Sequence, residues 1–328
     1  MNLDQFLTGK RKFLIASTLA TVTSLFVSNV VKTQPTVANS NPPAAAPLLL
    51  TKNLKNLTIV FPSRKDAPNL QEQVGKVANF LSRELGIPVK AQISDDTAAV
   101  EALRANRADV AFLSSRPALK AEGLANSRLY LAEVRSNYSG RYTYNSIFVV
   151  AKNSPLTPKA STKATLEQLR GKKIAFTSPT SGSGFIFPVS ELVKNGFVPD
   201  KDRMEGFFGQ ITYGGNYSKA LEAVVRGQAD VATVSEYAMY PPYISTTDAA
   251  KLRVLYKISG VPAHGIVVDD DVPVVMREKI INAFLKLNKP ENNQLLQGLY
   301  NSTELVRVDH NRHLKPVRDA LKNLGIEP

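Results

Sequence analysis

Short apolar runs alternate with amphipathic segments along most of the chain, beginning near residue 57. The runs at residues 57–61, 89–93 and 110–113 have the length and side-chain types of strands. Apolar residues recur every three or four positions over residues 69–85, and Gly86 follows, which predicts an amphipathic helix with a glycine stop. This alternation of strands and helices favours an α/β protein with a mostly parallel sheet.

One unit of a helix and a strand occurs twice. Residues 99–111, AVEALRANRADVA, recur as residues 220–232, ALEAVVRGQADVA. The shared Ala-Asp-Val-Ala at the same offset favours two lobes of similar construction over a chance likeness of two amphipathic segments. Asp109 and Asp230 are predicted to cap the turn into each strand.

The remaining pattern predicts strands and helices that carry the chain between two lobes. The strands are predicted at residues 144–150, 172–176, 253–257 and 265–268, and the helices at residues 165–169, 189–194, 274–287 and 317–324. The predicted division is residues 55–150 with 262–328 for lobe 1 and residues 151–261 for lobe 2. Open α/β sheets bind ligands beyond their strand ends, so we expect the ligand in the cleft between the lobes.

The N-terminal segment has the pattern of a secretory signal. Lys10-Arg11-Lys12 precedes an apolar stretch over residues 13–31, and residues 36–38, Thr-Val-Ala, fit a small-residue cleavage site. We therefore predict a signal peptide at residues 1–38 and a flexible, proline-rich tether at residues 39–54. An uncleaved membrane anchor is the alternative, because the apolar stretch is long for a signal peptide. Both interpretations predict an exported, periplasmic protein.

The composition excludes several kinds of chemistry. With no cysteine, the chain has no disulfide, thiolate metal site, thiol nucleophile or lipid-modified anchor. Lys and Arg outnumber Asp and Glu by 41 to 28, and this net charge of +13 favours anionic partners. No basic run with interleaved aromatic residues follows the N-terminal segment, so nucleic acid is not an expected partner.

Residues 177–188, TSPTSGSGFIFP, carry the clearest binding signal. They follow a predicted strand and lead into a predicted helix, so unpaired backbone N–H groups and the positive end of the helix dipole meet there. Hydroxyls of Thr180, Ser181 and Ser183 converge on the same place, and Gly182 and Gly184 let a ligand approach the backbone. The pattern predicts a socket for a small tetrahedral oxyanion. The alternative is an ordinary helix cap in a surface loop.

Enzyme motifs are not found. The loop lacks the glycine at position 181 that a nucleophile elbow requires, and no Lys-Ser or Lys-Thr pair follows it as in a P-loop. His310 and His313, near Asp309, are spaced like a metal pair, but a solvated C-terminal turn is the better interpretation. His264 at the return to lobe 1 is interpreted as structural or close to the cleft. We therefore predict no catalytic residue, no metal and no cofactor.

A set of motifs in fixed order points to one family. They are Ala-Asp-Val-Ala at Asp109, Gly140-x3-Tyr144-x-Ser146, Leu169-x-Gly171-Lys172, Ser183-Gly184-Phe185 with Pro188, and Gly215-x4-Ala220 leading to Asp230. From residue 57 onward the chain resembles the phosphate-, phosphite- and phosphonate-binding proteins of ABC importers, the PhnD-like family. The resemblance implies an α/β, two-lobed type II periplasmic binding protein fold with a two-stranded hinge.

The resemblance also implies the core of the ligand site. The residues that match the family's phosphonate-binding loop are Thr180, Ser181, Gly182 and Ser183. Tyr144 matches an aromatic residue of the cleft, and a half-buried strand residue is its alternative role.

Five further positions complete the implied site. Ser63 and Ser114 match loop positions at strand ends of lobe 1, and Ser235 lies near a polar position after the second repeat. Asn216 stands where many family members have a histidine, which removes a potential cation. Glu236 is our candidate for a carboxylate that accepts the P–OH proton and so rejects sulfate, with an ordinary surface glutamate as the alternative.

The function implied is that of a solute-binding protein. It would capture a phosphorus oxyanion, whether phosphonate, phosphite or phosphate, and deliver it as a monomer to the permease and ATPase of an ABC importer. Arg64, Arg135 and Arg141 could add charge near the anion, although exposed arginines are commoner than ligand-binding ones. The alternative is an extracytoplasmic sensor of the same fold for another small anion.

Overall fold

The computed structural model describes residues 54–64, 67 and 69–328. The predicted signal peptide, its uncleaved-anchor alternative and all but the last residue of the predicted tether lie outside the described residues. Within them, no helix is both long enough and apolar enough to cross a bilayer.

The described residues form two β-sheets and the helices that connect their strands. The strands are β1 (Leu57–Pro62), β2 (Val89–Ser94), β3 (Val110–Leu113), β4 (Arg128–Val134), β5 (Thr143–Ala151), β6 (Lys173–Phe176), β7 (Gln210–Tyr213), β8 (Val231–Ser235), β9 (Leu252–Pro262), β10 (Gly265–Val268) and β11 (Glu304–Arg307). The helices are α1 (Leu70–Leu85), α2 (Asp96–Arg104), α3 (Ser115–Ala125), α4 (Thr162–Glu167), α5 (Phe187–Lys194), α6 (Tyr217–Val225), α7 (Thr246–Ala249), α8 (Val274–Leu285), α9 (Asn293–Tyr300) and α10 (His310–Asn323). A π-helical turn at Gly182–Ile186 runs directly into α5.

Both sheets mix parallel and antiparallel pairs, so the prediction of a mostly parallel sheet is wrong. The first sheet has the order β11-β4-β10-β3-β1-β2, and the second has the order β7-β6-β8-β5-β9. The strands next to the repeated units are parallel: β1 to β2 and β3, and β6 to β7 and β8. Strands β5, β9, β10 and β11 pair antiparallel. Local alternation predicts the parallel pairs, whereas the antiparallel pairs join strands that lie farther apart in the sequence.

The repeat appears as two matching pairs of a helix and a strand, α2 with β3 and α6 with β8. Asp109 accepts a hydrogen bond from the Thr58 N–H at 2.7 Å, and its own N–H donates to the Thr58 carbonyl at 2.9 Å. Asp230 makes the same two bonds to Lys173, at 2.8 and 2.9 Å. Each aspartate thus ties its strand to the neighbouring parallel strand. The role is structural, as predicted, but the bonds go to the neighbouring strand and do not cap the turn.

Two segments join the sheets, residues 135–142 between β4 and β5 and residues 263–264 between β9 and β10. These are the two connections of the two-lobed fold. Strand β5 pairs with β8 and β9 along its length. Residues 143–150 therefore belong to the second sheet, whereas the predicted lobe 1 included them.

Helix α10 packs against elements of both sheets. Its Leu314 and Val317 belong to one hydrophobic cluster with Phe187 of α5. The Asn323 amide donates to Ser190 Oγ of α5 at 3.2 Å, and Arg318 donates to Glu122 of α3 at 2.8 Å.

His310 and His313 are buried on α10, so the interpretation of a solvated turn is wrong. His310 Nδ1 accepts from the Leu129 N–H at 2.8 Å, and His313 Nε2 lies 3.0 Å from the Ala263 carbonyl. The helix begins at His310, seven residues before the predicted start at Val317. Its first turn therefore packs inward. No group of three metal-binding side chains occurs among the described residues.

Candidate functional site

A cavity of about 600 Å³ lies where the strand ends of the two sheets face each other. Its lining comes from both sheets: Pro62, Ser63, Arg64, Asp95, Asp96, Thr97, Val100, Ser114, Ser115, Arg116, Pro117, Lys120 and His264 on the first, Tyr144, Thr180, Ser181, Gly182, Tyr217, Tyr237 and Tyr243 on the second, and Pro328. Six of the ten predicted site residues therefore line one cavity, namely Ser63, Ser114, Tyr144, Thr180, Ser181 and Gly182.

On the side of the second sheet, the cavity wall includes a turn that begins at Ser181. Ser181 Oγ accepts from the Gly184 N–H at 3.1 Å, and the Ser181 carbonyl accepts from the Ile186 N–H at 3.0 Å. The turn continues into α5, so the N–H groups of Gly182 and Ser183 stand at the start of a helix and have no intrahelical acceptor. This end of the helix carries partial positive charge and suits an anion.

Gly184 holds the turn against the sheet. Its carbonyl accepts from the Thr233 hydroxyl at 2.7 Å and from the Thr177 N–H at 3.2 Å. The Thr177 hydroxyl in turn donates to the Thr233 carbonyl at 3.0 Å. A Cβ atom at position 184 would lie only 2.2 Å from Thr177 Oγ1, so this position requires glycine.

Tyrosine hydroxyls lie beside the turn. Ser183 Oγ is 2.8 Å from the Tyr217 hydroxyl, and the buried Ser146 hydroxyl donates to the Ser183 carbonyl at 2.6 Å. Burial raises the pKa of Tyr144, and a hydrogen bond with Ser183 only partly offsets it, so the phenol stays protonated and can donate. Tyr237 packs edge-on against Tyr144, with ring centroids 5.2 Å apart.

The facing wall combines acidic and hydroxyl groups. Ser114 donates to Asp96 Oδ2 at 2.7 Å, and Asp95 caps α2 by accepting from the Ala98 N–H at 2.8 Å. Arg116 and Lys120 of α3 add positive charge along the same wall.

A buried carboxylate, Glu133, lies behind this wall. Its Oε1 accepts a hydrogen bond from Arg64 Nη1 at 3.3 Å and another from the Tyr138 hydroxyl at 2.9 Å. Arg135 Nε lies 3.3 Å from Oε2. His264 Nδ1 lies 3.2 Å from Oε1. Burial opposes ionisation, but Arg135, Arg64 and His264 outweigh it and hold the pKa of Glu133 well below its usual range.

Four predicted site residues lie outside the cavity lining. Ser183 is 1% exposed and acts through its bond to Tyr217. Asn216 caps α6 by accepting from the Lys219 N–H at 3.0 Å, and Ser235 is fully buried at the end of β8.

Glu236 faces away from the cavity and is not its carboxylate acceptor. It accepts from the Ser139 N–H at 2.9 Å, from the Asn145 N–H at 3.0 Å and from both side chains. Glu236 therefore fastens the first connection between the sheets to β5. Of the other arginines considered, Arg141 pairs on the surface with Glu304 at 2.8 Å.

Two lobes, two connections and a polar cavity at the strand ends define a class of protein, an α/β binding protein that takes a small ligand between its lobes. Residues 59–314 match the family described as "ABC transporter, phosphonate, periplasmic substrate-binding protein", and the chain belongs to this family. The family consists of transport proteins that bind a substrate, not of enzymes.

Individual relatives are similar over most of the chain. The phosphonates-binding periplasmic protein of Escherichia coli K12 is 26% identical over 252 residues, which are 75% of this chain and 70% of that protein. The structure of PhnD1 from Prochlorococcus marinus in complex with methylphosphonate aligns with a TM-score of 0.65 at 17% identity, over 83% of this chain and 98% of that one. XAC2383 from Xanthomonas citri, bound to ATP, aligns with a TM-score of 0.67 at 18% identity over the same shares.

Proposed function

We propose that this protein captures a phosphonate, or a related phosphorus oxyanion, at the Ser181–Gly184 turn and presents it to the permease of an ABC importer. One observation carries the proposal: a helix N-terminus with free N–H positions stands beside three hydroxyls in the wall of the cavity. Those hydroxyls belong to Ser181, Tyr144 and Tyr217. Neutral donors around a helix start bind tetrahedral oxyanions without needing a salt bridge.

The charge of the lining supports an anionic ligand. Among the described side chains that line the cavity, Arg64, Arg116 and Lys120 are cationic, and Asp95 and Asp96 are anionic. The Glu133 carboxylate behind the wall is matched by Arg135. Three cationic side chains therefore stand where an anion would bind.

The size of the cavity supports a ligand with an organic group. About 600 Å³ lies within the roughly 300–1,000 Å³ usual for small-molecule sites and exceeds what a bare oxyanion fills. Tyr217, Tyr237 and Tyr243 supply aromatic surface for that group.

Binding is expected to close the lobes about the two connections. A ligand that contacts both walls stabilises whichever arrangement brings those walls together. Closure removes water, which strengthens each hydrogen bond to the anion. We further propose that the protein acts in the periplasm after export through the N-terminal segment, with a permease and an ATPase as its partners.

Thermal unfolding against a panel of anions tests the proposal. The panel contains methylphosphonate, 2-aminoethylphosphonate, phosphite, phosphate and sulfate. A ligand at about 100 times its Kd adds roughly 2.7 kcal/mol of stability. We expect a phosphorus oxyanion to raise Tm by several degrees and sulfate to leave it unchanged. Equal shifts with all anions, or none, would contradict the proposal.

A further inference from the structure

The cluster around Glu133 joins the cavity to both connections between the sheets. Glu133 lies in β4, Arg135 begins the first connection, and His264 is in the second. Ser302, just before β11, donates to Glu133 Oε2 at 2.7 Å. Arg64 and His264 also line the cavity. The cluster thus reaches the cavity through Arg64 and His264, with Glu133 and Arg135 behind them.

Glu133 sets which nitrogen of His264 carries the proton. An ionised carboxylate only accepts hydrogen bonds, so its position 3.2 Å from His264 Nδ1 favours the neutral tautomer that carries the proton on Nδ1, although the two atoms are not aligned for a hydrogen bond. In that tautomer Nε2 is the acceptor of a ring that lines the cavity. The backbone holds this arrangement, because the Glu133 N–H donates to the His264 carbonyl at 2.9 Å.

The neighbours of His264 keep the ring neutral. Burial lowers its pKa, and Arg64 and Arg135 lower it further, against the opposing effect of Glu133. Tyr144, whose ring centroid is 6.2 Å from that of His264, is uncharged. His313, beyond Ala263, is also held neutral by burial, which lowers its pKa.

Tyr144 is adjacent to both His264 and the Ser181–Gly184 turn. Its hydroxyl is near enough to Ser183 for that side chain to lower the Tyr144 pKa in part, and its ring stands edge-on to His264. One ligand can therefore meet the turn from one side and His264 from the other.

We propose that His264 Nε2 accepts the proton of a P–OH group, so that His264 selects protonated phosphorus oxyanions over sulfonates and sulfate, while Arg64 binds an unprotonated oxygen of the same ligand. The proposal rests on the proposed function of the Ser181–Gly184 turn. Glu133 is a positioning residue, because it acts only through His264 and Arg64.

The selectivity follows from counting donors and acceptors. A phosphonate monoanion has one O–H donor and suits a site with many donors and one acceptor. A sulfonate has no proton at neutral pH, so one of its oxygens would face the Nε2 lone pair without a hydrogen between them. Sites that hydrogen-bond a ligand hydroxyl reject analogues without it by large factors.

Calorimetric titration with methylphosphonate and methanesulfonate tests this role. At pH 7 we expect the wild-type protein to prefer methylphosphonate by at least about a hundredfold. In His264→Gln the side-chain amide can turn a donor toward the ligand, so the preference should fall by about tenfold or more. His313→Gln is the control, since His313 is also largely buried but does not line the cavity, and the preference of this variant should stay that of the wild type.

A pH series on the wild type gives a second readout that needs no variant. Methanesulfonate carries no titrating proton between about pH 5 and about pH 8, so any change in its affinity reports the protein. Protonation of His264 turns Nε2 into a donor. Because burial and Arg64 lower the pKa of His264, we expect methanesulfonate to bind more tightly only as the pH falls well below the ordinary histidine value of about 6.5.

The outcomes separate the two proposals. Wild-type protein that binds neither ligand at pH 7 refutes the proposed function and this inference with it. Binding of methylphosphonate with an unchanged preference in His264→Gln, or with methanesulfonate affinity independent of pH, refutes the role of His264 alone. If His264→Gln fails to fold, the wild-type pH series decides.

Discussion

Gly184→Ala tests whether the packing behind the Ser181–Gly184 turn is as tight as the structure indicates. The added Cβ would lie 2.2 Å from Thr177 Oγ1, 2.4 Å from Thr177 Cβ and 2.8 Å from Ser181 Oγ. Thr177 cannot turn aside freely, because it is 5% exposed and its hydroxyl is bonded to the Thr233 carbonyl. Overpacking of this kind costs about 1–3 kcal/mol. At about 2–4 °C per kcal/mol, we expect Tm to fall by roughly 2–12 °C.

Gly182→Ala is the matched control in the same turn. A Cβ there has no atom within 4 Å, so alanine should leave Tm unchanged or raise it slightly. The assay is thermal denaturation without ligand, followed by circular dichroism. The reasoning is refuted if Gly184→Ala unfolds at the wild-type temperature, or if Gly182→Ala loses as much as Gly184→Ala.

Three further predictions concern single side chains. Tyr217→Phe should weaken methylphosphonate binding by about five- to tenfold in calorimetry, because the hydroxyl 2.8 Å from Ser183 Oγ is lost. An unchanged Kd would show that Tyr217 does not bind the ligand. Glu236→Gln should lower Tm by a few degrees, since Glu236 holds the first connection against β5. The ratio of the methylphosphonate and methanesulfonate Kd values should stay unchanged. A changed ratio would show that Glu236 acts on the ligand. Burial raises the pKa of Asp269 to about 6, so its folded form holds a proton that the unfolded form loses near pH 4. The stability that this residue contributes is thus present below about pH 4 and lost as the pH rises to about 6. Asp269→Asn should gain stability relative to wild type over that range in denaturant titrations, and a constant difference would contradict the assignment.

The parts of the fold that local pattern determines were predicted well. Three features depend on residues close together in the sequence. They are the repeated unit, the helix at Leu70–Leu85 with its Gly86 stop, and the Ser181–Gly184 turn. Strand β11 and helix α9 were not predicted. The burial of β11 depends on pairing with β4, more than 160 residues earlier, which no local pattern reveals.

The site followed the same rule. The place of Ser181 and Gly182 in the cavity lining is predictable because a strand, a Gly/Ser loop and a helix are adjacent in the chain. Tyr217 was missed, although it follows Asn216, because only the folded chain brings it to Ser183. Glu236 was assigned to the ligand because it follows a strand end, but its side chain turns back to Ser139 and Asn145.

His264 and Glu133 show why buried charge is hard to interpret from sequence. Glu133 lies in a strand, where an acidic residue usually points to solvent. Its partners Arg64, Arg135 and His264 come from three separate segments. Nothing in their spacing indicates that they meet beside one cavity.

A crystal structure of the protein with methylphosphonate tests the central claim most directly. The account predicts phosphonate oxygens within about 3 Å of the Gly182 and Ser183 N–H groups and of the Tyr217 hydroxyl. A phosphonate bound elsewhere in the cavity, without contact to the Ser181–Gly184 turn, would contradict it.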